Sequence, residues 1–298
     1  MISAGIDIGG TKIEAQRFDA DWQAYEQRRV ETPGDYADLI RAIADQIQWA
    51  TNGQASTPVG IGAAGLINPK TGLALTANLS ASGKPWADDI AQAAGRRVPL
   101  INDCRAMTVS EAVFGAGRGF ETVMGFSIGT GIAGGIVQNG RLLPGQHKTG
   151  GEFGHLSLPA HIVAQHNLPI LHCGCGRLGC FETLAAGPGL ARLLTHLTGL
   201  KLSPDQISQR RADQEIAPTW QIWLELVAAM LSDLTLTIDP DVIVLGGGFS
   251  IVTGLDADIN AALEKAHLQG FPHPMIKIAE GGAASCARGA AYHAWLRA

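Results

Sequence analysis

AGIDIGGTKIEAQRF (residues 4–18) and MGFSIGTGIAGGIVQ (residues 124–138) share one plan at an offset of 120. Each begins as a short apolar strand, turns on glycine and returns as a second strand. Gly5 falls on Gly125, Ile8 on Ile128 and Gly9 on Gly129. The identity is slight, but the same strand, glycine turn and strand opening both halves reads as two domains of one design. The glycine-rich segment Gly115–Gly119 lies just before the second copy and marks a junction.

Working outward, Ser3–Ile8 and Lys12–Phe18 form the first hairpin, and Gln23–Thr32 reads as a third strand. Pro33-Gly34-Asp35 breaks it and starts a helix to about Gln48, with Leu39, Ile40, Ile43 and Ile47 on its apolar face. Val59–Ala63 is a small-residue strand ending near Gly65. Val98–Asn102 is a strand followed by a helix of about Arg105–Val113. Past the junction, Glu121–Ile128 and Ile132–Val137 form the second hairpin. Trp220–Ile238 has apolar residues at helical spacing, which assigns Trp220 and Trp223 to a core rather than to a cofactor. Val242–Leu245 is a buried strand running into Gly246-Gly247-Gly248, and a helix of about Arg288–Leu296 closes the chain. Strands alternate with helices, so the fold class is α/β.

The 298 residues fit one large or two medium domains. With 46% hydrophobic and 16% charged residues there is ample material for a core. The net charge of −5 offers nothing to nucleic acid or to an anionic membrane. MISAGIDIGG has no positively charged leader, and no uncharged apolar run approaches the ~20 residues that span a bilayer. The expectation is a cytoplasmic protein, where disulfides are rare, and the five cysteines cannot all pair in any case.

Three constellations carry chemistry. Glycine turns expose backbone N–H groups that hold phosphate oxygens. Asp7 precedes Gly9-Gly10-Thr11-Lys12, Gly129-Thr130-Gly131 offers a second clamp, and Gly246–Gly248 follows a later strand. A helical phosphate loop is excluded, because no G-x-x-x-x-G-K-[ST] occurs; plain glycine hairpins are the alternative. Asp103 closes a strand where ligands bind in open α/β sheets, in reach of a substrate hydroxyl proton, but an aspartate there also suits a helix N-cap. Finally, His155, Cys173, Cys175 and Cys180 form H-x17-C-x-C-x4-C, a Cys3His set for tetrahedral zinc. His147, His161, His166 and His172 are other candidates for the imidazole, and free thiols in a loop are the plain alternative. Glu152 and Glu182 bracket this loop, either as acceptors for sugar hydroxyls or as surface carboxylates.

Together DIGGTK (7–12), Asn102-Asp103, SIGTGIAGG (127–135), GEFGH (151–155), CGCGRLGCFE (173–182) and DPDVIVLGGG (239–248) resemble the ROK family of sugar kinases and repressors over nearly the whole chain. The resemblance implies the actin/hexokinase-like (ribonuclease H-like) fold with an interdomain cleft. It implies a smaller domain of residues 1–117 plus 288–298, and a larger one of 118–287 carrying a zinc loop. It implies ATP and Mg2+, with Asp7 near Mg2+, Gly9, Gly10, Thr11, Lys12, Gly129, Thr130 and Gly131 on the phosphates, and Gly246, Gly247 and Gly248 by the adenosine. Asp103 is then the base for a sugar 6-hydroxyl, and Gly65, Asn78, Asn102, Glu152, His155 and Glu182 bind the sugar. His155 also joins Cys173, Cys175 and Cys180 on structural Zn2+.

The repressor branch carries a DNA-binding module ahead of the first hairpin, which here begins at residue 3, so a kinase is expected, with a non-catalytic sugar-binding regulator as the alternative. NLSASGKP (78–85) and the 151–180 tract are most like those of bacterial N-acetylglucosamine kinases; glucokinases, fructokinases and N-acetylmannosamine kinases share the catalytic set. A homodimer acting on sugar and ATP, with no nucleic acid or membrane, completes the expectation. Two departures from the pattern stand out: Cys104-Arg105 replaces Ala-Asn after Asn102-Asp103, and Ala186-Gly187 replaces Ser-Gly after Glu182.

Overall fold

A computed structural model describes residues 1–143 and 145–298. In chain order the elements are β1 (Ser3–Ile8), β2 (Lys12–Phe18), β3 (Ala24–Glu31), α1 (Tyr36–Thr51), β4 (Val59–Ala63), β5 (Leu66–Ile67), β6 (Ala74–Leu75), α2 (Trp86–Ala94), β7 (Leu100–Asn102) and α3 (Asp103–Phe114). Then come β8 (Thr122–Ile128), β9 (Ile132–Gln138), β10 (Arg141–Leu142), α4 (Ala160–Gln165), α5 (Glu182–Ala185), α6 (Gly187–Thr198) and α7 (Pro204–Gln209). The chain ends with α8 (Ala217–Ile238), β11 (Val242–Gly246), α9 (Leu255–Ala266), β12 (Met275–Ile278) and α10 (Ser285–Trp295). The class is α/β, as the alternation implies.

The chain divides into two compact units. The first holds Met1–Gly125, Gly135–Gly151 and Glu280–Ala298; the second holds Phe126–Gly134 and Glu152–Ala279. The hairpin tip at 126–134 therefore belongs with the second unit.

One sheet runs β3-β2-β1-β4-β7, and the other runs β10-β9-β8-β11-β12. The orders match strand for strand. In the first sheet β1, β2 and β3 are antiparallel neighbours, while β1, β4 and β7 run parallel. Residues 2–10 and 122–130 also repeat the same sequence of buried and accessible positions. The duplication read at an offset of 120 thus extends to topology and burial, because the same pleat must bury the same alternate positions.

In the first unit, Leu39, Ile43 and Ile47 of α1 share one buried cluster with Ile6, Ile8, Ile13 and Ile61 of the sheet. Asp35 caps α1, accepting from the amides of Ala37 and Asp38. Pro33-Gly34-Asp35 therefore starts a helix because the carboxylate satisfies two otherwise orphaned N–H groups. α10 packs closely on β1 and on α3. A Cβ on Gly5 would overlap the carbonyl oxygen of Ala287, and one on Gly289 would overlap that of Ala106. Gly5→Ala is therefore expected to destabilise the protein by about 3 kcal/mol, at the upper end for overpacking. Chemical denaturation checks this, with Gly34→Ala as control, since nothing lies within 4 Å of its added methyl.

In the second unit α8 is the central helix. Trp223, Leu226, Val227, Met230 and Leu231 are fully buried, and Trp220 is nearly so. By length and composition α8 is also long and apolar enough to cross a membrane, but 56% of that window is buried in this packing. The indole of Trp223 donates to the carbonyl of Ala185 at 2.8 Å.

Several boundaries differ from the sequence reading, among them α8, which begins at Ala217 rather than Trp220. β7 begins at Leu100, and α3 begins at Asp103 because Asn102, not Asp103, is its cap. α10 begins at Ser285, where the buried carboxylate of Glu111 accepts from the amides of Glu280 and Gly281 and from the Ser285 hydroxyl. Helices α2, α4, α5, α6, α7 and α9 were not anticipated; in α6, Pro188 sits in the first turn, where proline is compatible with a helix.

Candidate active site and metal cluster

The first unit gathers Asp7, the Gly9–Lys12 turn, Gly65, Asn78, Asn102 and Asp103. Asp7 sits near the end of β1, in register with Glu14 on β2 and Gly62 on β4. Burial, with the charge of Asp103 adding to it, pushes the Asp7 carboxyl up to about 6 against the opposing thiol of Cys286. The turn after it closes through the Gly9 amide on the Lys12 carbonyl at 2.9 Å, and the Thr32 hydroxyl donates to the Gly9 carbonyl at 2.7 Å. Gly10 lies against Asn78: a Cβ there would stand 3.0 Å from the Asn78 Cβ. The Lys12 ammonium is 3.5 Å from Glu14 Oε2.

Asp103 is the first residue of α3. The Asn102 side-chain oxygen accepts from the amides of Cys104 and Arg105, and its Nδ2 donates to Asp103 Oδ1 at 2.9 Å. The Cys104 amide also donates to Asp103 Oδ1, at 2.9 Å. The N-cap reading of Asp103 is thereby displaced by its neighbour. Gly65, at φ +132, presents its carbonyl 3.5 Å from Asn102 Nδ2. The departure residue Arg105 is buried, and its Nη2 donates to the Lys148 carbonyl at 2.8 Å.

The second unit gathers Glu152, His155, the three cysteines, Glu182, Gly129–Gly131 and Gly246–Gly248. One donor atom from each of His155, Cys173, Cys175 and Cys180 falls within 4.8 Å of all the others. Cys173 Sγ is 3.6 Å from His155 Nδ1, and Cys175 Sγ is 3.6 Å from Cys180 Sγ. A tetrahedron with Zn–S of ~2.3 Å and Zn–N of ~2.0–2.1 Å has S···N and S···S edges of about 3.6 and 3.8 Å. The residues fit zinc. His155 turns Nδ1 toward the cluster, which leaves Nε2 for another partner. Burial pushes the Cys173 thiol up to about 12, with the neighbouring Glu182 carboxylate contributing in the same direction. That thiol gives up its proton readily only to a metal.

Around the glycine turns, the Gly187 amide donates to the Gly129 carbonyl at 2.8 Å. Gly247 has φ +79, and a Cβ on it would overlap the Ile128 carbonyl, so glycine is required there twice over. Gly248 N lies 3.8 Å from where a Gly129 Cβ would be. Gly129–Gly131 and Gly246–Gly248 are therefore neighbours. A cavity of about 330 Å³ opens beside them, lined by Pro204, Ser208, Arg211, Gly248, Phe249 and Ile251 among others. A wider groove of about 590 Å³ along α4, α8 and α9 is lined, of the candidate residues, by His161 alone, one of the alternative imidazoles.

The ROK family model matches residues 3–296. The chain belongs to the ROK family. It is 38% identical over 294 residues to the N-acetylgalactosamine kinase AgaK of Shewanella sp. (strain ANA-3), covering 96% of this chain and 94% of that one. It is 36% identical over 295 residues to the N-acetyl-D-glucosamine kinase of Pasteurella multocida (strain Pm70), covering 96% and 97%. A ROK family glucokinase from Streptomyces griseus, solved with glucose and AMPPNP, superposes with a TM-score of 0.77 at 29% identity, covering 99% of both chains. This ROK protein has the actin/hexokinase-like fold expected from its motifs.

Two neighbours of the candidate residues were not legible. Cys286 stands beside Asp7 and over Gly62, where a Cβ would overlap its sulfur. Pro204, Asp205, Ser208, Gln209 and Arg211 line the cavity at Gly248. Nothing in the local sequence marks either, since they meet their partners only through the fold.

Proposed function

We propose that this ROK protein is an ATP-dependent sugar kinase that phosphorylates the 6-hydroxyl of an N-acetylhexosamine, N-acetyl-D-glucosamine first among them. The observation that carries the assignment is at the head of α3. Asn102 takes over the capping and fixes Asp103 Oδ1, so Oδ2 is left to accept a proton.

Asp103 would take the proton of the sugar 6-hydroxyl as its oxygen attacks the γ-phosphorus. The bond from that phosphorus to the bridging oxygen of ADP then breaks, and ADP leaves with the electron pair. Most of the rate comes from placement and charge neutralisation. Mg2+ supplies cationic charge beside the transferring phosphoryl group, and Asp7, a carboxyl taken out of water and pushed up to about 6, is the side chain suited to face it. The Gly9–Lys12 and Gly129–Gly131 turns would hold phosphate oxygens. The cavity beside Gly248, with Phe249 and Ile251 as apolar walls, would seat the adenosine. Asn78, Asn102, Gly65, Glu152, His155 Nε2 and Glu182 would bind the sugar.

The organisation proposed is a smaller domain of residues 1–117 plus 288–298 and a larger one of 118–287, which differs from the two compact units in taking residues 118–125, 135–151 and 280–287 into the second domain. The protein is placed in the cytoplasm as a homodimer whose partners are small molecules, without nucleic acid or membrane; light scattering tests the dimer.

The deciding experiment is ADP release from ATP and Mg2+ with N-acetylglucosamine, N-acetylgalactosamine, N-acetylmannosamine, glucose, fructose and mannose. Sugar-dependent turnover is expected, with kcat/KM highest for N-acetylglucosamine. Highest kcat/KM with N-acetylgalactosamine would move the assignment to the specificity in the Shewanella relative's name. Calorimetric sugar binding without turnover would instead indicate a regulator.

A further inference from the structure

Helix α10 lies directly on the sheet of the first unit because glycines clear its path. Gly5 of β1 pairs with Gly60 of β4, and two residues on Asp7 pairs with Gly62. Side chains alternate faces along a strand, so these four positions share one face. A Cβ on Gly5 would overlap the Ala287 carbonyl oxygen, one on Gly60 the Ala290 carbonyl oxygen, and one on Gly62 the Cys286 sulfur. The Cys286 sulfur therefore fills the side-chain place that Gly62 leaves empty, next to Asp7 on the adjoining strand. The two side chains are hydrogen-bonded, the thiol donating and the carboxylate accepting.

The same row of the sheet continues from Asp7 through Glu14 on β2 to Arg29 on β3. Carboxylates directly opposite each other repel, and here each has its own donors. Glu14 accepts from Gln16 Nε2 at 2.8 Å and from Arg29 Nε at 2.7 Å, with Lys12 Nζ at 3.5 Å. Asp7 meets its donor on the other side of the row, where the thiol stands. Asp7 and Cys286 are both partly accessible, so the pair lies at the edge of the core rather than inside it.

A thiol suits this place beside a cation site. Mg2+ takes carboxylate and water oxygens rather than sulfur, so its arrival does not turn the donor into a ligand. Burial and the carboxylates of Asp7 and Asp103 push the thiol well above its ordinary range, which keeps the proton on sulfur.

We infer that Cys286 is a positioning residue for Asp7, its thiol holding one carboxylate oxygen so that the other is presented to Mg2+. The inference rests on the reading of Asp7 as the side chain that faces Mg2+. It deepens that reading by assigning the orientation of Asp7 to a residue of the last helix.

The test is calorimetric binding of AMPPNP without sugar, in Mg2+ and in Mg2+-free buffer lacking chelator, so that any bound zinc is kept. Wild type is expected to bind more tightly with Mg2+. In Cys286→Ala that gain should shrink about tenfold, the lower end of what loss of an outer hydrogen-bond partner costs a metal site. Binding in Mg2+-free buffer should not change. Cys286→Ser keeps a donor and should recover most of the gain. A role in packing alone would lower the melting midpoint of both variants and leave the gain as it was.

Infrared spectroscopy supplies a readout that needs neither cation nor nucleotide. The difference between wild type and Cys286→Ser isolates the S–H stretch of Cys286. It should lie at the lowered frequency of a thiol bonded to a carboxylate, and it should rise in Asp7→Ala. An unchanged Mg2+ gain in Cys286→Ala, a serine variant no better than alanine, or an S–H band at the free-thiol frequency overturns the inference and leaves the kinase assignment intact. No gain from Mg2+ in wild type overturns the Mg2+ reading of Asp7 together with it.

Discussion

Asp103→Asn is expected to lose turnover by about 10²–10⁴-fold, the usual worth of a positioned general base, with sugar affinity largely kept. The substitution is informative because the fold has separated two tasks. Capping of α3 falls to Asn102, whose side-chain oxygen takes the amides of Cys104 and Arg105. Asp103 Oδ1 is occupied by Asn102 Nδ2 and the Cys104 amide, both at 2.9 Å. An asparagine at 103 keeps an oxygen for those donors and places its NH2 where the second carboxylate oxygen was. The scaffold is preserved and only the proton acceptor is removed. Steady-state kcat with calorimetric sugar affinity and a melting curve check the three parts of the expectation. Turnover within threefold or so of wild type would remove Asp103 from the chemistry, well short of the ~10² that a general base contributes.

The sequence was legible where one residue type has one physical use. The strand, glycine turn and strand pattern placed β1–β2 and β8–β9 to within a residue, because burial on a pleated sheet repeats every second position. The Cys3His spacing was legible because thiols so close in a chain have few alternatives. Asp103 was ambiguous for a physical reason: aspartate and asparagine are both good caps, and only the backbone shows which one sits before the first helical turn. Contacts across long stretches of chain left no trace. Glu111 reaches residues 280–285, and Cys286 reaches Asp7. Glu182 was legible as a carboxylate beside the metal loop, yet its nearness to the Gly129–Gly131 turn, where a Cβ on Gly131 would stand 3.2 Å from its Oε2, depends on how α5 leaves that loop.

Cys180→Ser is expected to give protein that purifies without zinc and shows no measurable sugar-dependent turnover. Cys180 is the most deeply buried of the three thiols, at 1% exposure, so nothing from solvent can take its place. The surrounding loop has weak apolar support of its own. Leu158, Ile162 and Leu168 are buried, but Leu156, Ile170 and Leu178 stand exposed at 39%, 55% and 57%. Its closure relies on two isolated bridges, Ser157 with Cys180 and His172 with Leu178, both near the metal ligands. Without metal, His155 loses the ligand that would orient its ring. The core around α8 does not depend on the cluster, so cooperative unfolding of the rest should persist at a lowered midpoint. Binding should also be pH-dependent: the Cys173 thiol, pushed up by burial to about 12, must release its proton as the metal enters, so zinc affinity falls as pH falls. Elemental analysis of wild type should find about one zinc per chain, as one tetrahedral site requires, and release in a chelator should quicken on acidification. Stoichiometric zinc in Cys180→Ser, or full turnover in metal-free wild type, would show that the loop stands without the ion.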